Sequence, residues 1–287
     1  MIVRLGLLLL LVFSGTSAAK TSLWEVSNGE RMLYLGGTIH MLSETDYPLP
    51  GEFNAAYKSA DRLVFETDLR QLTEPRFQQM LLQRVALPVG QTLANTIKPS
   101  THRAVDAFLR SRGQSIVAFE RLKPSMVSIS LSVMEMRRLG LTSIGVDQHF
   151  FQRAAKDGKP TDELESAEEQ IHFVANMGAE NPDALLLNTL RDLRNLREML
   201  DKIKTSWRGG DSEALARVAL DPMRSDYPDL YQTLMVNRNN NWLPQILGMM
   251  ETGETELVLV GALHLVGEHG LLQQLRARGF SVRRVES

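Results

Sequence analysis

The 287-residue sequence contains no cysteine. This excludes disulfide bonds, thiolate metal sites, cysteine nucleophiles and lipidation on cysteine, so any metal ion must be bound by His, Asp or Glu. Basic residues are not in excess either, because 32 Lys and Arg stand against 34 Asp and Glu, for a formal net charge of -2. A chain with this balance lacks the positive charge that binds a phosphate backbone, and we expect no nucleic-acid partner.

Several common catalytic signatures are also missing. There is no HExxH helix, which excludes the helical ligand arrangement of many zinc proteases. There is no Gly-x-Ser-x-Gly elbow and no Gly-Lys-Ser or Gly-Lys-Thr phosphate loop, which argues against a serine hydrolase and a P-loop enzyme. The composition, 43% hydrophobic and 23% charged, is nevertheless that of a folded globular protein.

An apolar leader stands at the start of the sequence. Arg4 precedes an apolar run from Leu5 to Phe13, and small residues follow up to Ala19. This order is typical of a secretory signal peptide, cleaved after Ala18 or Ala19. The alternative, a membrane anchor, needs about 20 apolar residues, and no later run reaches that length. We therefore predict a signal peptide over residues 1–19 and a periplasmic or secreted protein with no membrane segment after cleavage.

Strand and helix patterns alternate in the rest of the chain. Apolar runs predict strands at Met32 to Gly36, Arg62 to Glu66, Glu256 to Val260 and Ser281 to Val285. The region of about 74–250 is mostly helical, with long helices predicted from Asn181 to Trp207 and from Tyr227 to Met250. Strands separated by helices indicate an α/β fold. We predict one domain over residues 20–287, with a central mixed sheet, a large helical insertion and flanking helices.

A sequence repeat flanks the helical region. It aligns Leu33 to His40, without gaps, with Leu257 to His264, and each copy is an apolar strand followed by a Gly-x-x-His unit. The glycine permits a tight turn beyond the carboxyl end of the strand, the edge where open α/β sheets bind ligands. We predict that the sheet is built around these two units and that His40 and His264 share one site. The alternative is that both histidines are structural and lie in packed core.

Carboxylates are predicted at the same edge. Glu66 directly follows the strand that contains Val64 and Phe65, and Glu165 precedes a helix from Ala167 to Met177. The alternatives are a solvated strand end for Glu66 and a helix-capping segment around Glu165. Two histidines with one or two carboxylates suit Zn, Mn, Co or Fe.

Polar residues also interrupt the last long helix. Arg238 is followed by Asn239 and two more asparagines, which are poor helix formers. Side chains retained there could hydrogen-bond a carboxylate or a substrate backbone. The alternative is a frayed, solvated turn.

Taken in order, these motifs resemble the TraB/PrgY/GumN family over nearly the whole chain. The matching segments are the two Gly-x-x-His units, Leu63-Val64-Phe65-Glu66, Gly145-Val146-Asp147, Leu164-Glu165 with Glu169-Gln170, Trp207 with Gly210-Asp211, Arg238-Asn239, and Gly267 with Leu271. One departure is that the residues before Leu164 are polar, Thr161-Asp162-Glu163, where the family has apolar residues typical of a strand.

The resemblance implies an α/β fold related to the Tiki proteins and, more distantly, to the erythromycin esterase/ChaN group. Tiki proteins are proteases that need a divalent cation such as manganese or cobalt. Their two Gly-x-x-His histidines and a glutamate, on which activity depends, correspond to His40, His264 and Glu66. Glu165 and Arg238 match further family positions.

The sequence therefore predicts an exported, divalent-metal-dependent hydrolase that acts on a peptide or protein. His40 and His264 hold Mn, Co or Zn, Glu66 is a third ligand or the catalytic base, and Glu165 is a further candidate ligand. Arg238 or Asn239 could stabilise an oxyanion. The alternative from another class is a non-catalytic periplasmic protein that sequesters a peptide, a metal or a porphyrin.

Overall fold

The computed structural model describes residues 20–286, and the predicted signal peptide, residues 1–19, lies outside them. The strands are β1 (Lys20–Ser27), β2 (Met32–Thr38), β3 (Arg62–Phe65), β4 (Thr161–Glu163), β5 (Glu256–Gly261) and β6 (Ser281–Glu286). Within the described residues they form one sheet in the order β4-β3-β5-β2-β1-β6. The first four of these run parallel, and β1 is antiparallel to β2 and β6. The predicted α/β fold with a mixed sheet is confirmed.

The two repeat units lie side by side in this sheet. β2 pairs with β5, with Tyr34 opposite Leu257 and Thr38 opposite Gly261. β5 also pairs with β3, so it is a central strand, and its residues from Glu256 to Val260 are buried. Burial of both faces explains why β5 is an almost uninterrupted apolar run. Both Gly-x-x-His units consequently leave the sheet at the same edge.

The apolar pattern did not predict β1 or β4. β1 follows the predicted signal peptide directly and buries Leu23, Trp24 and Val26 between polar residues. β4 is a three-residue edge strand of polar sequence, held by backbone pairing to β3 with Leu63 opposite Thr161. Because backbone hydrogen bonds hold β4 at the edge, it needs no apolar side chains, and the polar residues before Leu164 are compatible with a strand.

The helices connect and cover these strands. They are α1 (Gly51–Ser59), α2 (Pro75–Val85), α3 (Leu93–Thr96), α4 (Pro99–Arg110), α5 (Pro124–Arg138), α6 (Val146–Asp157), α7 (Ala167–Asn176), α8 (Pro182–Asp192), α9 (Leu196–Arg208), α10 (Ser212–Leu215), α11 (Asp221–Asp226), α12 (Pro228–Tyr231), α13 (Arg238–Met249), α14 (Ala262–Leu265) and α15 (Leu271–Arg276). None of the helices in the described region is both long enough and apolar enough to cross a membrane.

Two predicted helices differ in detail from the observed ones. The helix expected from Asn181 to Trp207 is two helices, α8 and α9, separated by a 3₁₀ turn over Leu193–Asn195. The helix expected from Tyr227 begins at Pro228, and a π-helical segment, Gln232–Asn237, leads into α13. The leucine spacing continues through the 3₁₀ turn at Leu193, which is why the periodicity alone did not show this break.

The helical insertion has an apolar core of its own. Val105 of α4, Leu131 of α5 and Leu186 of α8 belong to one buried cluster, whereas the strands pack with α1, α6 and α13 in another. The strand ends at which the candidate residues lie are surrounded by this sheet core, to which α6 and α13 of the 74–250 region also belong.

Trp207 connects α9 to the first Gly-x-x-His unit. Its side chain is fully buried, and the indole N–H donates a 2.6 Å hydrogen bond to the carbonyl of Gly37. The backbone carbonyl of Trp207 in turn accepts a hydrogen bond from the Ser22 hydroxyl on β1. The turn that carries His40 is thus fixed by a contact between distant parts of the chain.

We expect Trp207→Phe to destabilise the protein by about 1–3 kcal/mol, because it removes a buried donor and part of a packed ring. The free energy of unfolding in urea measures the effect. Trp24→Phe is the matched control, since Trp24 is a buried indole of the same sheet that does not contact the Gly37 carbonyl. Equal losses in the two variants would contradict a role for the Gly37 hydrogen bond.

Candidate functional site

Each of the four parallel strands ends beside a candidate residue. His40 follows β2, Glu66 follows β3, Glu165 follows β4 and His264 follows β5. Because the carboxyl ends of parallel strands meet at one edge of a sheet, the topology brings these four residues to the same end of the molecule.

Gly261 marks the point where three of these side chains converge. A methyl group added at Gly261 would lie 3.2 Å from Oε1 of Glu66, 3.5 Å from Cδ2 of His264 and 3.8 Å from Nε2 of His40. The backbone N–H of Gly261 donates a 2.6 Å hydrogen bond to the same Glu66 oxygen. A side chain at this position in the second Gly-x-x-His unit would enter the space between the imidazoles and the carboxylate and press on Glu66.

Arg238, at the start of α13, lies inside the cluster. Its Nη2 donates to Glu66 Oε2 at 2.6 Å and to Glu165 Oε1 at 2.7 Å, while Nε donates to Glu165 Oε2 at 3.0 Å. Its Nη1 lies 3.2 Å from Nε2 of His264. The frayed turn considered for this segment is wrong, since Arg238 and Asn239 are buried on a regular helix.

The two carboxylates that share this guanidinium titrate differently. Burial by itself would raise the pKa of Glu66, but the charges of Arg238 and of the two histidines and the Gly261 N–H lower it to about 2. Burial raises the pKa of Glu165, in spite of its hydrogen bonds from Arg238, and the charge of Glu66 adds to the rise. Glu66 is thus the more firmly ionised carboxylate of the pair.

Trp242 completes the environment of Arg238. It is fully buried one helical turn after Arg238, and its indole N–H donates to Glu165 Oε2 at 3.2 Å. The guanidinium lies 4.5 Å from the centre of the indole, and the His264 ring lies 4.5 Å from the same indole. The sequence analysis missed Trp242; its i, i+4 spacing from Arg238 was the available signal.

Asn239 orients His264. The amide oxygen of Asn239 lies 2.7 Å from Nδ1 of His264, and its amide nitrogen donates to the carbonyls of His264 and His269. Since the amide nitrogen is occupied as a donor, the oxygen accepts from Nδ1–H, which leaves the lone pair of His264 on Nε2. Burial lowers the pKa of His264 to about 3, so the ring is neutral at neutral pH. Asn239 thus holds His264 in a fixed orientation and tautomer.

His40 has a different environment, at the open side of the cluster. Its side chain is 61% exposed, and Nδ1 lies 3.2 Å from Oδ1 of Asp147 at the start of α6. The charge of Asp147 raises the pKa of His40 to about 9. Gly145 permits this contact, because a methyl group there would lie 2.2 Å from the Ile39 carbonyl oxygen. The Gly145-Val146-Asp147 motif therefore supports the first histidine.

By side-chain type, His40, His264 and Glu66 are the residues at this edge that could hold a divalent cation. Each imidazole has its Nδ1 beside an oxygen, the usual arrangement when Nε2 is a ligand. Glu66 and His264 are in the deprotonated form that a metal requires, and His40 alone must release a proton. No three His, Asp or Glu side chains in residues 20–286 already stand in a coordinating arrangement, and both oxygens of Glu165 are occupied by Arg238.

The fold and site define an α/β protein with a buried ionic cluster and two histidines at the carboxyl ends of parallel strands. The chain belongs to the TraB/PrgY/gumN family, whose sequence profile matches residues 22–284. The resemblance predicted from the motifs is thereby confirmed.

Individual relatives support this assignment. The chain is 30% identical to the uncharacterized protein YbaP of Escherichia coli (strain K12) over 252 residues, which cover 86% of this chain and 89% of YbaP. YbaP of Shigella flexneri gives the same identity and coverage. Metalloprotease TIKI2 of Danio rerio is 23% identical over 303 residues, covering 87% of this chain and 57% of that protein. No solved structure matches the chain significantly. The chain is therefore a distant relative of a metalloprotease.

We expect Asp147→Asn to return the pKa of His40 from about 9 toward its ordinary value of 6.5. Because the folded-state pKa is raised, the ion pair stabilises the protein below about pH 6.5, and this contribution is lost as the pH rises through about 9. An NMR titration of the imidazole protons in the metal-free protein measures the shift. If His40 titrates identically in the two proteins, Asp147 does not control its charge.

Gly145→Ala is expected to destabilise the protein by about 1–3 kcal/mol or more, because the added methyl group collides with backbone atoms of Ile39 and His40. Urea denaturation measures the loss. Gly51→Ala provides the control, since a methyl group at Gly51 meets no atom within 4 Å. A variant as stable as the control would show that the backbone can move apart at no cost.

Proposed function

We propose that this protein is an exported, divalent-metal-dependent hydrolase that cleaves peptide bonds. The observation that carries the proposal is the convergence of Glu66, His40 and His264 on the space beside Gly261, with a guanidinium at hydrogen-bonding distance from two of them. The distant relation to Metalloprotease TIKI2 supports the same class of reaction. The leader sequence supports export to a periplasm or to the exterior.

His40, His264 and Glu66 would hold Mn, Co or Zn at this place. The cation, when bound, polarises a carbonyl group and lowers the pKa of a water molecule. We assign Glu66 as a ligand in preference to a general base, because a base works best with a pKa near the operating pH and that of Glu66 is about 2. We propose that Glu165 binds Arg238 and is not a metal ligand, since the guanidinium donates hydrogen bonds to both of its oxygens.

The remaining residues stabilise charge and maintain geometry. Arg238 presents fixed N–H donors in a site with little water, where hydrogen bonds to a developing oxyanion are strong. Asn239 and Asp147 do not touch the substrate in this proposal. They hold the two imidazoles through Nδ1, so that both Nε2 atoms face the same space. Preorganisation of this kind removes the cost of aligning the groups during the reaction.

The proposal is tested on the full-length chain, expressed with its leader and recovered from a periplasmic fraction. We expect the protein to bind Mn²⁺, Co²⁺ or Zn²⁺ by titration calorimetry and to cleave a broad peptide library only when the cation is present. His40→Ala, His264→Ala and Glu66→Gln should each lower metal affinity by about tenfold or more and remove the cation-dependent cleavage.

His102→Ala is the matched control, because His102 pairs with Glu120 in the helical insertion. It should retain both metal binding and cleavage. Absence of metal binding in the wild-type protein would overturn the proposal. Metal binding without any cleavage would favour the non-catalytic binding protein considered from the sequence. Failure to reach the periplasmic fraction would refute export alone.

A further inference from the structure

Arg238 occupies the same atoms that the proposed metal site needs. Its Nη1 lies 3.2 Å from Nε2 of His264, and its Nη2 donates to Oε2 of Glu66 at 2.6 Å. Nε2 carries the one free lone pair of the neutral His264 ring, because Nδ1–H is bonded to Asn239. That lone pair cannot accept a hydrogen bond from Arg238 and coordinate a cation at the same time.

The charge of Arg238 also opposes the binding of a cation at these residues. The side chains of Arg238, Glu66 and Glu165 are each at most 9% exposed, so that charges in the cluster are weakly screened by water. A guanidinium and a divalent cation sharing Glu66 repel each other strongly in such surroundings. The guanidinium also supplies the positive charge that the buried Glu66 requires in the absence of any other cation.

Glu165 and Trp242 fix the position of Arg238. Glu165 accepts from both Nε and Nη2 of the guanidinium, and Trp242 donates to Glu165 while its ring lies beside the guanidinium. The contact with His264 is made by a different nitrogen, Nη1, so the hydrogen bonds to Glu165 do not depend on it. Glu165 is thus suited to retain Arg238 beside the site and not to bind the ion.

We infer that Arg238, positioned by Glu165 and Trp242, competes with the divalent cation for His264 and Glu66 and so sets the metal affinity of the site. This inference rests on the proposed function, because it assumes that the cation binds these residues. With such competition, the apparent metal affinity equals the intrinsic affinity multiplied by the fraction of molecules in which the guanidinium does not cover the ligands. The protein is then a reversible metal binder whose loading follows the external concentration of the cation.

The test compares the Mn²⁺ and Co²⁺ affinities of three proteins by titration calorimetry. Glu165→Gln should weaken metal binding, because Arg238 then has Glu66 as its one carboxylate partner and competes for it more strongly with the cation. The double variant E165Q/R238Q removes the competitor together with its partner and leaves the three proposed ligands intact. We expect it to bind the metal about tenfold or more tightly than the wild-type protein.

The double variant shows whether Glu165 positions Arg238 or is itself a metal ligand. If Glu165 is a ligand, metal binding should be weaker in both Glu165→Gln and E165Q/R238Q. The control E135Q/R112Q removes a partly buried ion pair in the helical insertion and should not change metal affinity. If the double variant does not unfold cooperatively, Arg238→Gln replaces it with the same expected direction. Unchanged or weaker binding without Arg238 overturns the inference. Absence of binding in the wild-type protein overturns the proposed function and, with it, this inference.

Discussion

The structure depends on one buried guanidinium between two carboxylates. Arg238 and its partners are almost completely removed from water, and an isolated charge in such a position costs several kcal/mol. The cost is offset because each carboxylate oxygen in contact with Arg238 accepts at least one hydrogen bond and the guanidinium lies on the Trp242 ring. The loss of Arg238 would leave two buried carboxylates without a cation. The site residues are for this reason a single unit and not a set of independent groups.

The backbone makes room for this unit at two glycines. A side chain at Gly261 would enter the space shared by both imidazoles and Glu66, and a side chain at Gly145 would collide with the backbone at His40. Neither glycine has a positive φ angle, so that the requirement is for close approach and not for an unusual backbone conformation. This explains why glycine stands at fixed distances from the residues that carry the chemistry.

The sequence predicts those parts of the site that follow from local pattern. The repeat places His40 and His264 at one sheet edge, and the strand pattern adds Glu66, because the end of a buried strand is visible in the order of residues. The contact of Asp147 with His40 and that of Trp242 with Glu165 join segments far apart in the chain, and no local pattern shows them. β4 was not predicted either, because backbone pairing with the distant strand β3 holds it and its side chains show no apolar pattern.

The two histidines are chemically unequal, and this asymmetry bears on how the site is reached. His264 is 3% exposed, neutral and held by Asn239, whereas His40 is open to solvent and paired with a carboxylate. A ligand that enters from solvent therefore meets His40 first and Arg238 and His264 afterwards. In the proposed metal site, the proton that must leave before a cation binds is on the exposed ring, where water can accept it directly. The buried ring needs no proton exchange, which is consistent with its complete enclosure by Trp242, Asn239 and Arg238.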